Sequence, residues 1–134
     1  MMKFHHVGIA VQNINEAIHA YQVLGYSQSS AIIHDPIQNV QLCFLDKDGS
    51  PTLELVAASS QDSPVTNILA KNGPTPYHNC FEVDNIIESV ANLKLCGFRR
   101  LSAIVPAIAF ENRRICFLYQ KEVGLIELLE NTLK

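Results

Sequence analysis

Residues 4–26 read FHHVGIAVQNINEAIHAYQVLGY, and residues 76–98 read PYHNCFEVDNIIESVANLKLCGF. At an offset of 72 these stretches share six identical residues, which are His6/His78, Val11/Val83, Asn13/Asn85, Ile14/Ile86, Glu16/Glu88 and Gly25/Gly97. At an offset of 73, the segments Cys43-Phe44-Leu45 and Leu53-Glu54-Leu55 align with Cys116-Phe117-Leu118 and Ile126-Glu127-Leu128. Solenoid repeats are about 20–50 residues long, so this longer period indicates a duplicated module.

Each copy begins with the pattern of a strand followed by a helix. The stretches from Phe4 to Val11 and from Tyr77 to Val83 are short, apolar and rich in β-forming residues. Asn13 and Asn85 are good helix N-caps, and each has a Glu three residues later that can complete a capping box. A glycine at the predicted end of each helix, Gly25 or Gly97, favours a left-handed turn there.

Apolar residues recur at helical spacing after each cap. The recurring set includes Leu24 in the first copy and Ile87 in the second, and this spacing predicts that both side chains are buried.

The remainder of each copy predicts three strands. They cover 26–33, 40–46 and 52–57 in the first copy, and 98–105, 113–120 and 124–129 in the second. Between the copies, Ser63-Pro64 and Gly73-Pro74 are start and stop signals for a short linker helix over residues 64–71. The predicted organisation is one α+β domain, 1–134, in which two tandem βαβββ modules (3–58 and 75–131) flank a linker helix segment (62–73).

Bulk composition is that of a globular protein. The chain has 134 residues, of which 48% are hydrophobic and 17% charged, and its net charge of −3 gives no reason to expect nucleic acid as a partner. No apolar run is long enough to span a membrane, and the first residues lack the apolar stretch of a signal peptide. The four cysteines show no CxxC spacing and are predicted to be buried, reduced thiols, which favours a cytoplasmic location.

Strand alternation separates a polar set of side chains from the core. In the first strand, His6 shares a face with Gly8 and Ala10, while the bulky residues on either side point the other way. Glu54 and Glu127 each stand between two apolar neighbours that are expected to pack against a helix. A carboxylate centred in an apolar strand is costly to bury unless something pairs with it. Glu54 and Glu127 place such a carboxylate at matching positions of the two copies.

Other charged residues carry weaker signals. Glu82 shares the alternation of His78, which makes it a candidate neighbour of the site. Arg113 and Arg114 are interpreted as solvated charges.

Two histidines and two glutamates at matching positions favour a metal site. Neutral imidazole and carboxylate groups are good ligands for Zn, Ni, Co, Fe or Mn, so we predict one divalent ion held by His6, Glu54, His78 and Glu127. Such an ion can polarise a carbonyl, and a ligand glutamate that loosens from the ion could act as the general base. The alternative is that each His and Glu is a satisfied structural residue and that the repeat records only ancestry.

The motifs resemble those of the vicinal oxygen chelate superfamily, which includes glyoxalase I, extradiol dioxygenases, fosfomycin-resistance proteins and methylmalonyl-CoA epimerase. The opening His5-His6-Val7-Gly8-Ile9-Ala10-Val11, the Asp62-Ser63-Pro64-Val65 linker and the later Phe81-Glu82-Val83-Asp84 stretch carry the resemblance, which covers nearly the whole chain. The linker is similar to that of the epimerases and is absent from glyoxalase I. The chain departs from the epimerase pattern at Tyr77, at 106–111 and at Tyr119-Gln120.

The resemblance implies paired βαβββ modules whose curled sheets enclose a metal-binding cleft. It implies His6, Glu54, His78 and Glu127 as ligands, with Glu127, and also Glu54, as catalytic carboxylates. The implied function is a metal-dependent epimerase or isomerase that abstracts a proton α to a carbonyl of an acyl-CoA or similar substrate. The alternatives are a glyoxalase I-type lactoylglutathione lyase and a non-catalytic binding or resistance protein. A homodimer is the expected assembly, with no nucleic-acid or membrane partner.

Overall fold

The computed structural model describes residues 2–131 of the chain. Within them the fold is α+β, as predicted, with three α-helices, a short 3-10 helix (Ile108–Phe110) and ten strands. The helices are α1 (Ile14–Val23), α2 (Pro64–Asn72) and α3 (Ile86–Leu95). The strands are β1 (Lys3–Ala10), β2 (Ser27–Gln28), β3 (Ile33–Asp35), β4 (Val40–Asp46), β5 (Thr52–Ala58), β6 (Thr75–Val83), β7 (Arg99–Arg100), β8 (Val105–Ala107), β9 (Arg113–Gln120) and β10 (Gly124–Glu130).

The chain divides into two compact units. We call His6–Tyr77 the first unit, and the residues from His78 onward, together with the N-terminal residues as far as His5, the second unit. The divisions fall inside β1 and β6, a few residues from the module boundaries expected from the repeat.

Helix boundaries follow the predicted capping signals. The side chain of Asn13 accepts a hydrogen bond from the amide of Glu16, and Asn85 accepts one from Glu88 in the same way. Gly25 and Gly97 have φ of +99° and +93°, a left-handed conformation that costs glycine little. The linker helix α2 also forms, with Ser63 as its N-cap and Pro64 in its first turn.

In the first unit, β1 lies parallel to β5, β5 is antiparallel to β4, and β2 and β3 both pair with β4. In the second unit, β6 lies parallel to β10, β10 is antiparallel to β9, and β7 and β8 both pair with β9. Each unit therefore repeats the same order of pairing, and each packs one face of its sheet on its own helix, α1 or α3.

The strand predicted for 26–33 is wrong, because two short strands, β2 and β3, occupy that region. The chain leaves the ladder after Gln28, and the hydroxyl of Ser30 accepts a hydrogen bond from the amide of Phe44 in place of a strand carbonyl. The strand predicted for 98–105 is interrupted in the same way, with Ser102 accepting from Phe117. The sequence pattern did not reveal either interruption, because a serine is compatible both with a strand and with the end of one.

Three positions that were predicted to be buried are exposed. Leu24 and Cys96 are the C-cap residues of α1 and α3, where the last turn faces solvent. Ile87 follows Ile86, which takes the buried position at the start of α3 and leaves its neighbour exposed. The other three cysteines are buried, and no disulfide joins any of the four within residues 2–131. No helix among residues 2–131 is both long and apolar enough to cross a membrane.

Candidate functional site

The first unit holds a buried histidine–glutamate pair. The Nε2 atom of His6 lies 3.3 Å from Oε1 of Glu54, and the two residues are 0% and 5% exposed. His6 projects from β1 on the face of Gly8 and Ala10, since Ile9 and Val11 belong to the core formed with α1. Glu54 is centred in β5, where Leu53 and Leu55 point to that core. The predicted alternation of both strands is confirmed.

The second unit holds a matching pair. The Nε2 atom of His78 lies 3.3 Å from Oε1 of Glu127, and the residues are 4% and 2% exposed. Ile126 and Leu128, on either side of Glu127, belong to the core formed with α3, so the carboxylate lies on the opposite face of β10. Two buried imidazole–carboxylate contacts of equal length thus follow from the same alternation in two different sequences.

The donors and their spacing fit a divalent metal ion. Metal–nitrogen and metal–oxygen bonds to zinc are about 2.0–2.2 Å long, so two ligands of one ion at tetrahedral or right angles lie about 2.8–3.6 Å apart. The 3.3 Å between the nitrogen and the oxygen in each pair falls within that range. Each pair, His6 with Glu54 and His78 with Glu127, therefore offers residues that could bind a metal ion.

A phenylalanine that the sequence interpretation did not single out accompanies each pair. Phe44 meets the imidazole of His6 edge to face, with ring centroids 5.8 Å apart, and Phe117 meets that of His78 at 5.4 Å. Both residues lie in the repeated Cys-Phe-Leu segment, directly opposite Glu54 and Glu127 in the strand ladders. The repeat of that segment was the only signal of their role, because the contact itself depends on register.

Charged residues near the second pair are paired with one another. Glu82 shares the face of His78, as predicted, and its carboxylate accepts a hydrogen bond of 3.2 Å from Arg113. Arg114, on the other face of β9, donates to both carboxylate oxygens of Glu130 at 2.8 and 2.9 Å. Both arginines are therefore in ion pairs, and with 21% and 42% of their side chains exposed they are also partly solvated, as interpreted. Sequence spacing gives no signal for such pairs, because the partners are 16 and 31 residues apart.

Glu130 also anchors the start of helix α3. Its Oε2 atom accepts a hydrogen bond from the buried amide of Ile86 at 3.1 Å. The hydrogen bond from Arg114, followed by that from the Ile86 amide, holds the pKa of Glu130 below its ordinary value although burial acts in the opposite direction. In the same contact, the hydrogen bond to Glu130 raises the pKa of the Arg114 guanidinium.

Comparison with known proteins places this geometry in a family. Residues 5–117 match the model of the glyoxalase/bleomycin resistance protein/dioxygenase superfamily. The chain belongs to this superfamily.

Particular relatives are epimerases. The chain is 33% identical over 129 residues to the mitochondrial methylmalonyl-CoA epimerase of Mus musculus, in a match that covers 94% of this chain and 71% of the relative. The crystal structure of methylmalonyl-CoA epimerase from Mycobacterium tuberculosis superposes with a TM-score of 0.84 at 27% identity, over 98% of this chain and 89% of that one. A variant of the Streptomyces coelicolor methylmalonyl-CoA epimerase, in complex with 2-nitronate-propionyl-CoA, gives 0.82 at 26% identity and covers 98% of both chains.

Proposed function

We propose that the protein is a metal-dependent epimerase that moves a proton α to the carbonyl of an acyl-CoA thioester, with methylmalonyl-CoA as its trial substrate. The observation that carries the proposal is the duplicated buried His–Glu pair, one in each unit, with the same 3.3 Å separation. The epimerase relatives, which match nearly the whole chain, support the reaction class.

The four ligands of the proposed site are His6, Glu54, His78 and Glu127. Two ionised carboxylates bring a charge of −2, which one divalent cation balances, and buried charge is tolerated only when it is compensated in this way. Imidazole and carboxylate together suit Co, Ni, Zn, Mn or Fe, and they do not select one of these. When bound, such an ion polarises a substrate carbonyl and stabilises the negative charge that develops on its oxygen.

The protein's own carboxylates handle the proton. In the forward half of the reaction, a carboxylate oxygen of Glu127 takes the proton from the α-carbon, and the electrons of the broken C–H bond move onto the carbonyl. Return of a proton to the opposite face inverts the centre. Glu54, on the other unit, is the second carboxylate available for proton transfer. A positioned general base contributes about 10²–10⁴-fold to such a step.

The direct test is uptake of deuterium from D2O at the α-carbon of methylmalonyl-CoA. We expect incorporation that depends on the protein and on added divalent metal, above the background measured without protein. Metal binding without incorporation would contradict the substrate assignment. A glyoxalase-type lyase, which would use the same ligands, would then be tested with the hemithioacetal of methylglyoxal and glutathione.

A structural control separates catalysis from binding alone. His78→Ala removes a ligand from the second unit and leaves a small, compatible side chain in β6. We expect this variant to retain its circular dichroism spectrum and to lose both metal and exchange activity. Full exchange activity in folded His78→Ala would contradict the proposed site and favour a protein that only binds small molecules.

The finer features of the proposal concern assembly. We propose a homodimer, because duplicated modules of this kind leave sheet edges that can pair with a second copy. Light scattering coupled to size-exclusion chromatography would measure a mass twice that of the 14.9 kDa chain. A mass of one chain at micromolar concentration would contradict the dimer without affecting the metal site.

A further inference from the structure

We propose that Phe44 and Phe117 are positioning residues that fix the orientation of the ligand imidazoles of His6 and His78. The inference rests on the proposed metal site and extends it to residues that do not themselves bind the ion. Each phenylalanine occupies the same place in its own unit, so the structure provides two independent instances of the arrangement.

The first observation is the ring geometry. His6 and Phe44 have centroids 5.8 Å apart at an interplanar angle of 73°, and His78 and Phe117 have centroids 5.4 Å apart at 85°. Both are edge-to-face contacts, the arrangement that the charge distribution of aromatic rings favours. The terminal torsion of a histidine has a broad energy profile, so a ring held at its edge or face restricts the direction in which Nε2 points.

The second observation is strand register. Phe44 on β4 lies directly opposite Glu54 on β5, and Phe117 on β9 lies directly opposite Glu127 on β10. Side chains directly opposite in an antiparallel ladder have Cβ atoms about 4.5–5.5 Å apart. Each phenylalanine is therefore a neighbour of both members of its His–Glu pair.

The third observation is that both phenylalanines are held by their backbone on the side away from the pair. The amide of Phe44 donates to Ser30 Oγ at 3.0 Å, and its carbonyl accepts from the amide of Ser29 at 2.9 Å. The amide of Phe117 donates to Ser102 Oγ at 3.0 Å, and its carbonyl accepts from the amide of Leu101 at 2.9 Å. In each unit, the segment that interrupts the predicted strand therefore holds the backbone of the phenylalanine by two hydrogen bonds.

Core packing does not account for these rings. Their neighbours along the strands, Cys43 and Leu45 in β4 and Cys116 and Leu118 in β9, point into the two helix-facing cores, whereas both phenylalanines lie on the opposite face and are half-buried. Loss of one aromatic pair contact corresponds to a change of about 2- to 12-fold in an equilibrium constant. Loss of the ring should therefore weaken metal binding with little effect on the fold.

The test compares Phe44→Leu and Phe117→Leu with matched controls on the helix-facing side of the same sheets. Tyr26 and Phe98 occupy equivalent positions in the repeat and pack against the two cores, so Tyr26→Leu and Phe98→Leu remove a ring of similar burial away from the pairs. Co²⁺ affinity is measured by competition with a chelator, and the visible absorption of bound Co²⁺ reports ligand geometry. Nuclear Overhauser contacts (NOEs) of the His6 and His78 ring protons are recorded in metal-free protein, because they report ring orientation independently of the ring-current shift that loss of a phenylalanine causes.

We expect each of Phe44→Leu and Phe117→Leu to raise the Kd for Co²⁺ by about 2- to 12-fold and to shift the visible bands. The controls should bind Co²⁺ as the wild type does. Wild-type affinity and spectra in both phenylalanine variants would overturn the inference. If the wild-type protein binds no metal, the proposed function fails, and the ring-proton NOEs then decide the inference alone. Altered NOEs from the His6 or His78 ring to residues other than the replaced phenylalanine support positioning, and unchanged NOEs overturn it.

Discussion

The two units contain the same His–Glu pair but support it differently. In the second unit, Glu130 accepts a hydrogen bond from the amide of Ile86 and two from Arg114, which ties β10 and β9 to the start of α3. At the matching positions of the first unit stand Ala57, which is buried in the core, and Gln41, which is exposed. The pair has the same 3.3 Å separation in both units. The geometry of the His–Glu pair therefore follows from the backbone and strand alternation, which the units share. The Arg114–Glu130 ion pair of the second unit has no counterpart at the matching positions of the first unit.

The largest expected difference between the units is the loss of deuterium exchange when Glu127 or Glu54 is replaced. Glu127→Gln should lower deuterium exchange by about 10²–10⁴-fold, because an amide cannot accept the α-proton. Glu54→Gln keeps a neutral oxygen ligand and should lower exchange less. Rates of wash-in under saturating metal measure both variants. Equal losses would show that the two units share proton transfer, and a loss below about 10-fold in Glu127→Gln would contradict its assignment as the base.

A second contrast between the units concerns stability. Glu130→Ala leaves the buried amide of Ile86 without its carboxylate partner, so the free energy of unfolding should fall by about 1–3 kcal/mol. Gln41 of the first unit matches Arg114, the partner of Glu130, and is exposed, so Gln41→Ala should stay within about 0.5 kcal/mol of the wild type. Urea unfolding of the metal-free proteins measures both. Equal effects would mean that the ion pair adds nothing to the second unit.

A pH series isolates the contribution of the same carboxylate. The pKa of Glu130 in the folded protein lies below its ordinary value of 4.5, so its contribution to stability is complete above that value. As the pH falls below 4.5 and through the lowered folded pKa, the carboxylate takes up a proton and the contribution is lost. The difference in unfolding free energy between wild type and Glu130→Gln should therefore shrink as the pH is lowered through this range. A difference that does not change would contradict the assigned ion pair.

The smallest expected difference between the units is the loss of unfolding free energy when the helix N-caps are replaced. Asn13 and Asn85 make the same hydrogen bond to the third residue beyond them, at 2.9 and 3.1 Å. Asn13→Ala and Asn85→Ala should each cost about 1 kcal/mol of unfolding free energy, measured by thermal or urea denaturation. Matching costs would show that the units share their local helix signals. A cost near zero in Asn85→Ala alone would indicate that Glu130 anchors α3 without the cap.

Sequence reasoning predicted what depends on local pattern. The capping of α1 and α3, the glycines at their ends and the faces of His6 and Glu54 all follow from spacing within a few residues, and the structure confirms them. It failed where partners come from distant strands. The bond between Ser30 and Phe44 and the pair of Arg114 and Glu130 depend on register, which a single sequence does not specify.

The sequence pattern also did not predict that the residues at the ends of α1 and α3 are exposed. Leu24 continues the apolar spacing of α1, and Cys96 stands at the equivalent place after α3. Both lie one position beyond the last helical residue, where the backbone turns through the following glycine and the periodic face no longer points to the core. Apolar periodicity predicts burial only while the helix continues.

Metal analysis of matched histidine variants decides whether the two His–Glu pairs hold one ion together. Purified protein is loaded with Co²⁺ or Zn²⁺, desalted and assayed for metal per chain, alongside His6→Ala and His78→Ala. We predict one ion per wild-type chain and none in either variant, because the proposed site takes ligands from both His–Glu pairs. Two ions per wild-type chain, or one ion retained by either histidine variant, would contradict the shared site.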